Sequence, residues 1–369
     1  MLSALVLDAL TLLLLPWLIL RRHSSASPER ILVIQLGKIG DLVCTTPLLT
    51  ALRRGKHGAH ITVLCNTAAA SVLDANPDVD DVVVVDGPDV RGLCGRVRLL
   101  VRVRSMRYTT SIAVLPGTFN AVIGMWTGAA RRVHTRGDRV GLMGLIFHYC
   151  HSDRLHYTRH QRTFEHYMNI ARVLGVPPVP YGHTYVVTPA ERDAADQWMR
   201  DRAVCMPFVI LALSAGNRLK EWPVDRFCAV ATGLQKRGIQ VVFSSSNAAV
   251  TKNASETVPA SIDAGGLDLR MLGALIARAS LFISVDTGPL YIAHALQIPL
   301  VDIVGPVDPG EQPPIPSATV ELVLPPSDIR PSSFVAETLR QTTLEQRAAI
   351  EATEPSDVLS AADRVLKSH

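Results

Sequence analysis

Residues 31–54 read ILVIQLGKIGDLVCTTPLLTALRR. The apolar run 31–36 stops at Gly37, which is the length and composition of a buried strand. The stretch 41–54 then reads as a helix, with Pro47 either kinking it or opening its main part after Thr46 as a cap. Working outward, the short apolar runs 61–64, 82–85 and 112–115 predict further strands with helical stretches between them. Strands that alternate with helices predict a parallel sheet covered on both faces. Residues 177–189 are rich in proline and glycine and read as a linker. The pattern then restarts, with strands at 208–213, 239–244, 281–285 and 300–304 and helices at 224–236, 269–278 and 289–296. Residues 317–333 read as irregular, and 355–366 as an amphipathic closing helix. The 369 residues therefore predict two successive α/β units facing a cleft.

Composition narrows the class. Hydrophobic residues make up 48% and charged ones 19%, a globular balance. Residues 1–175 hold 21 Lys/Arg against 12 Asp/Glu, a net of +9, while 176–369 hold 16 against 21, a net of −5. Two lobes with different ligands follow from that split. None of the six cysteines stands two or three residues from another, which removes zinc-finger and thioredoxin-type pairs. Their apolar surroundings point to a reducing compartment.

The amino terminus has its own character. Residues 2–20 are apolar apart from Ser3, Asp8, Thr11 and Pro16, a length that suits one bilayer-crossing helix. Trp17 stands where an interfacial aromatic would, and Arg21 and Arg22 follow at once. The positive-inside rule then puts the body on the cytoplasmic side of the inner membrane. Asp8 is costly in mid-membrane and keeps an interfacial helix in play. Residues 23–28 read as a linker, so deleting residues 1–27 is expected to leave a soluble, folded body.

Four strand-end loops carry the chemistry, since ligands of open α/β sheets bind beyond the carboxyl ends of strands. The first, 35–41, holds Gly37, Lys38, Gly40 and Asp41 but lacks G-x-G-x-x-G, which removes the dinucleotide fingerprint. Asp41 either caps the following helix or acts as a general base on a hydroxyl. The second, 213–223, offers Ser214, Ala215 and Gly216 for close backbone approach, with Arg218 and Lys220 to neutralise phosphate. The third, 284–296, sets Asp286, Thr287, Gly288 and Pro289 at a helix start, where free amides bind anions. His294 in that helix reads as a packed side chain, having no metal partner at helical spacing. The fourth is 305–309, Gly-Pro-Val-Asp-Pro. Asp78-Val79-Asp80 precedes a strand and reads as a turn, so a metal-independent site is expected. Residues 91–166 carry 13 arginines and six histidines against Asp138, Asp153 and Glu165. They form a solvated basic face, or a site for an anionic acceptor or lipid head groups. Arg131 and Arg132, with Lys38, are the acceptor candidates. Sparse aromatic interleaving and the lack of a recognition motif argue against nucleic acid.

Taken in order, the segments ILVIQLGKIGDLVCTTPLLTALRR, LSAGNRLKEWPVDRF, SVDTGPLYIAHALQIP and IVGPVDP resemble glycosyltransferase family 9, the heptosyltransferase-like enzymes. The resemblance spans roughly residues 31–310. It implies a GT-B fold; the hydrophobic amino-terminal helix and linker read at 1–28 are not typical of the family. One Rossmann-like domain (29–178) would hold the acceptor and a second (190–325) the nucleotide sugar, with a tail and closing helix at 326–369. It implies inverting, metal-independent transfer with no cofactor. By position, Asp41 matches the family's catalytic base and Lys220 its diphosphate-contacting lysine. Asp286, Thr287, Gly288 and Pro289, with Ser214 and Gly216, match its donor-binding loops. The acceptor expected is an anionic, lipid-linked saccharide at the inner face of the membrane. Tyr291 stands where many members have His, and Ser245, Ser246 and Asn247 where heptosyltransferases often place an acid, so the donor sugar stays open. The alternative is a catalytically silent sugar-nucleotide- or lipid-binding protein on the same fold.

Overall fold

The computed structural model of the chain describes residues 2–20, 28–85, 87, 92–138, 140–328 and 344–367. These divide into two compact units that meet in sequence between Tyr181 and Gly182, inside the predicted linker.

The first unit is a parallel six-stranded sheet made of β1 (Arg30–Gln35), β2 (His60–Asn66), β3 (Asp81–Val85), β4 (Thr110–Ala113), β5 (Arg131–Arg136) and β6 (Asp153–His156). Its strand order is β3-β2-β1-β4-β5-β6. Ile31 aligns with Ile61 on one side and Thr110 on the other, which makes β1 central and buries Ile31, Leu32, Val33 and Ile34 completely. The helix after β1 runs unbroken over Ile39–Gly55 with Pro47 inside it. Proline cannot donate to the Val43 carbonyl, and the Thr46 hydroxyl does so instead at 2.7 Å. The helix therefore does not open at Thr46 as a cap.

The second unit repeats the plan with β7 (Phe208–Ala212), β8 (Gln240–Ser245), β9 (Ile262–Gly265), β10 (Leu281–Val285), β11 (Leu300–Ile303) and β12 (Val320–Val323). Its order, β12-β11-β10-β7-β8-β9, is again all parallel. The capping box of helix Pro189–Asp201 opens it, with the Glu191 amide donating to Thr188 Oγ1 and the Thr188 amide to Glu191 Oε2. Helices Leu344–Glu351 and Pro355–Lys367 belong to this unit, and the latter buries Val358, Ala361, Ala362 and Val365 against its core. The closing helix is thus part of the second unit. Strand β12 lies inside the stretch expected to be irregular.

The amino-terminal segment departs most from expectation. In place of one long helix there are two, Leu2–Leu13 and Leu15–Leu20. Pro16 has no N–H for the Leu12 carbonyl, which accounts for the break between them. No helix among the described residues is long and apolar enough to cross a membrane. The pair is built into the first unit. Leu7 and Leu18 are buried in one cluster with Leu99, Val103, Val122 and Trp126. The Trp126 indole N–H donates to Thr11 Oγ1 at 3.1 Å. Removing residues 1–27 would therefore strip part of a core, contrary to the expected clean excision.

Candidate active site

Both sheets reverse strand order beside their first strand, between β1 and β4 and between β7 and β10. Loops leaving the carboxyl ends of strands at such a switch point splay apart and leave a crevice for ligand.

In the first unit the loop after β1 is held by its own neighbours. The Gly37 amide donates to Gln35 Oε1 at 3.0 Å, and Asn66 Nδ2, from the end of β2, donates to the Gly37 carbonyl at 2.6 Å. Asp41 sits in the first turn of helix Ile39–Gly55, where its Oδ2 accepts the Lys38 amide at 2.7 Å. Its carbonyl takes Thr45 Oγ1 at 2.7 Å. A Cβ on Gly37 would stand 2.6 Å from Asp41 Oδ2, so only glycine lets the loop close on the carboxylate. Tyr167 is buried beneath; burial, then the charge of Asp41, raises its phenol well above the ordinary range. Asp41 thus serves the helix start from its third position, with Lys38 as the N-cap residue, and is half-buried at the strand-end edge.

Arg131 and Arg132 do not join Lys38. They open β5, where Arg131 aligns through Thr110 with Ile31, the start of β1. That is about 13 Å short of the end of β1 at 3.3 Å per residue. Arg131 pairs with Asp153 at 3.1 Å and donates to the Val173 carbonyl. Arg132 is fully buried and donates to the Cys150 carbonyl at 3.1 Å. Both are structural in this unit. Sequence counting placed them in the site because charge density along a chain does not reveal which end of a strand carries it. The histidines differ from the expected cationic face as well. His134 and His148 share an Nδ1–Nδ1 contact of 2.9 Å. Burial pushes His134 down to about 3, and His148 and His166 down to about 4. They are neutral at pH 7. Asp78 and Asp80 are likewise committed, Asp78 to the Thr50 hydroxyl and Asp80 to Arg53 and the Ile61 amide.

In the second unit the site is assembled from several strand ends. Ala212 aligns with Ser284, and Ser284 with Asp302, so the loops after β7, β10 and β11 emerge side by side. The β7 loop carries Ser214, half-buried, and Gly216, exposed. It tightens into a 3-10 turn at Arg218–Lys220, where Asn217 Oδ1 accepts the Leu219 amide at 3.1 Å. Lys220 Nζ donates to Asp286 Oδ2, and the Tyr291 hydroxyl donates to Asp286 Oδ1. The Asp286 side chain is 1% exposed and that of Lys220 15%. Thr287 is the N-cap of helix Gly288–Ala295, whose positive end therefore lies beside this pair; Pro289 carries no amide and the Leu290 amide is bonded to the Thr287 carbonyl at 3.1 Å. Asp302 lies on β11, fully buried, where burial and then the charge of Asp286 hold its carboxyl well above the ordinary range. The fourth loop begins at Gly305, whose φ of +61° and contact with Ile350 both call for glycine. Asn247 caps the helix after β8 through the Ala249 amide at 3.1 Å, and Ser245 accepts the Asn247 amide, leaving that loop polar and uncharged. His294 packs on His183, Nδ1 to Nδ1 at 3.0 Å, as the packed reading expected.

Three residues complete this half-site that the motifs did not single out as site residues. Tyr291 orients Asp286. Asp302 is an acid inside the apolar run Leu300–Ile303, a signal visible in the sequence. Arg347 donates to the carbonyls of Arg218 at 2.8 Å and Glu221 at 2.6 Å, and its distance along the chain left no local sign. Just beyond, the Trp222 indole and the Arg226 guanidinium both donate to the Thr353 carbonyl.

The arrangement of the second unit can hold a nucleoside diphosphate through one cation and the amino end of helix Gly288–Ala295. Comparison with known proteins agrees in kind. Residues 96–329 match glycosyltransferase family 9 (heptosyltransferase). Lipopolysaccharide heptosyltransferase 3 of Escherichia coli is 25% identical over 281 residues, covering 73% of this chain and 81% of its own. Lipopolysaccharide heptosyltransferase 2 of Salmonella typhimurium is 24% identical over 306 residues, covering 78% and 85%. Two solved structures share the fold. A family 9 glycosyl transferase from Veillonella parvula has a TM-score of 0.76 at 20% identity over 93% of this chain and 98% of that one. The E. coli ADP-heptose lipopolysaccharide heptosyltransferase II has 0.72 at 18%, over 92% and 98%. With well over half its length matched to the family, the chain belongs to glycosyltransferase family 9 and is a glycosyltransferase.

Proposed function

We propose that the chain moves a heptose or a closely related sugar from a nucleotide sugar to a hydroxyl of an anionic, lipid-linked saccharide in lipopolysaccharide core synthesis. Transfer is inverting and needs no metal. Curated relatives named as lipopolysaccharide heptosyltransferases support the sugar and the acceptor class, and the similar E. coli structure carries ADP-heptose in its name. The observation that carries the reading is the Lys220–Asp286–Tyr291 chain beside the amino end of helix Gly288–Ala295. As the glycosidic bond to the diphosphate breaks, negative charge grows on the leaving oxygens. Lys220 and the positive amino end of that helix stabilise that charge in the role a divalent ion plays elsewhere. Asp286, pinned by Tyr291, sets the direction of the lysine. Asp41 takes the proton of the attacking hydroxyl, which enters from the face opposite the nucleotide.

The bond from the Lys38 amide to Asp41 also fits a silent binding protein, in which that carboxylate is a cap alone. A panel of ADP-, GDP- and UDP-sugars tests the proposal. ADP-heptose should raise the melting temperature most. Turnover on a lipid-linked core saccharide should persist in EDTA and give the inverted anomer by NMR. Donor binding without turnover on any such acceptor would leave the silent reading. We further place the protein at the cytoplasmic face of the inner membrane, where nucleotide sugars are made. Protease added outside spheroplasts should leave it intact.

A further inference from the structure

From Ala4 to Leu20 every exposed side chain described in the amino-terminal helix pair is apolar. Leu5, Val6, Ala9, Leu13, Pro16, Trp17 and Leu20 face outward, with Leu5 60%, Leu13 80% and Leu20 82% exposed. Positions 5, 9, 13, 16 and 20 recur at helical spacing, so they make one stripe. Thr11 is buried on Trp126, and Asp8 is half-buried near Arg96, which counters the rise that burial imposes on its carboxyl. A helix pair on a water-facing surface carries its polar residues outward; this one turns Asp8 and Thr11 inward. Cations border the stripe. The Arg104 guanidinium lies 4.1 Å from the centre of the Trp17 ring, and helix Leu93–Ser105, packed beside helix Leu2–Leu13, exposes Arg98 and Arg102. Apolar side chains that end in tryptophan and are edged by arginine match the boundary between acyl chains and anionic head groups.

We propose that this stripe is an in-plane docking surface for an anionic lipid bilayer. The pair lies in the interface without crossing it, because its other face is already committed to the core through Leu7, Thr11 and Leu18. The inference deepens the transfer reading by bringing the first unit to the surface where a lipid-linked acceptor resides, yet it stands on surface chemistry alone.

Flotation of the full chain tests it, with vesicles of phosphatidylcholine alone and of phosphatidylcholine mixed with phosphatidylglycerol. The wild type should float with the anionic vesicles and be released by alkaline carbonate. The double variant Leu13→Ser/Leu20→Ser should bind at least about tenfold more weakly. Arg98→Gln/Arg102→Gln should lose roughly tenfold or more on anionic vesicles and nothing on neutral ones. Both pairs are exposed, so unchanged melting will verify the fold. In the wild type, brominated lipids should quench a part of the tryptophan emission that Trp17→Phe removes. Unchanged flotation by Leu13→Ser/Leu20→Ser would overturn the proposal. So would resistance to carbonate, which means a span. A lipid-free dimer that this variant disperses, with no flotation by the wild type, would assign the stripe to a second copy. Flotation uses neither donor nor acceptor, so failure of the transfer assay and failure of docking are separate results.

Discussion

The loops at the two switch points are built in opposite ways. In the first unit, Gln35, Gly37, Lys38, Asp41 and Thr45 satisfy one another within ten positions of chain, and Asn66 props the loop from the end of β2. In the second, the decisive ion pair joins Lys220 to Asp286 across 66 positions, and Arg347 braces the turn from the far end of the unit. A self-contained loop presents a carboxylate whose orientation survives changes elsewhere. A composite one couples its cation to the packing of the whole sheet. The contrast suits the proposed chemistry, in which a base must keep one position while a diphosphate site must take up and release a large anion.

The largest expected effect tests whether the self-contained loop does chemistry. Asp41→Asn keeps size and capping ability, so melting and donor binding should hold while turnover falls roughly 10²–10⁴-fold. Steady-state rates beside nucleotide titrations decide it, and near-normal turnover would reduce Asp41 to a cap. Next comes the composite site. Lys220→Ala should weaken nucleoside diphosphate binding by about 1.5–3 kcal/mol and also lower stability, since it strands the buried Asp286 carboxylate. Adding Asp286→Asn should recover stability without recovering affinity. Calorimetry and melts on the cycle should give a coupling of at least about 1 kcal/mol, and strict additivity would break the contrast drawn above.

The third test concerns the histidines of the first unit. Unfolded imidazoles titrate near 6.5, whereas His134 and His148 titrate at about 3 and about 4 in the folded unit. Below pH 6.5 the unfolded chain takes up protons that the folded unit refuses. Stability should therefore be full above that pH and fall toward pH 4, by up to about 1.4 kcal/mol per pH unit per histidine. His148→Gln should flatten the slope in melts from pH 8 to 4.5, values chosen to span roughly that window. The smallest effect is Thr11→Val, expected to cost about 1 kcal/mol by leaving the Trp126 indole N–H without its acceptor.

Sequence patterning revealed the centres of both sheets and little of their margins. β1, β7 and β10 are buried on both faces and write continuous apolar runs. β6, β9 and β12 are edge strands four residues long, and β5 is polar because its arginines and His134 find partners inside. None of these leaves an apolar run to read. The same holds at the sites. Asp41, Lys220 and Asp286 follow legible strands and so stand out as candidates. Arg347 comes from another part of the unit and was not. Residues 2–20 were misjudged because the composition of a spanning helix and that of two docked helices is the same. Only Pro16 and the inward side chains Asp8 and Thr11 separate them.

Two backbone carbonyls of the turn that carries Lys220 hang on Arg347, and the next turn hangs on the carbonyl of Thr353. A genetic screen for loss of transfer would thus return hits clustered near positions 347–353, far along the chain from any ligand contact. Read on a linear map, they would look like a separate regulatory segment. They are the masonry behind the proposed nucleotide site, and suppressors of such alleles should arise among the residues that line residues 213–223.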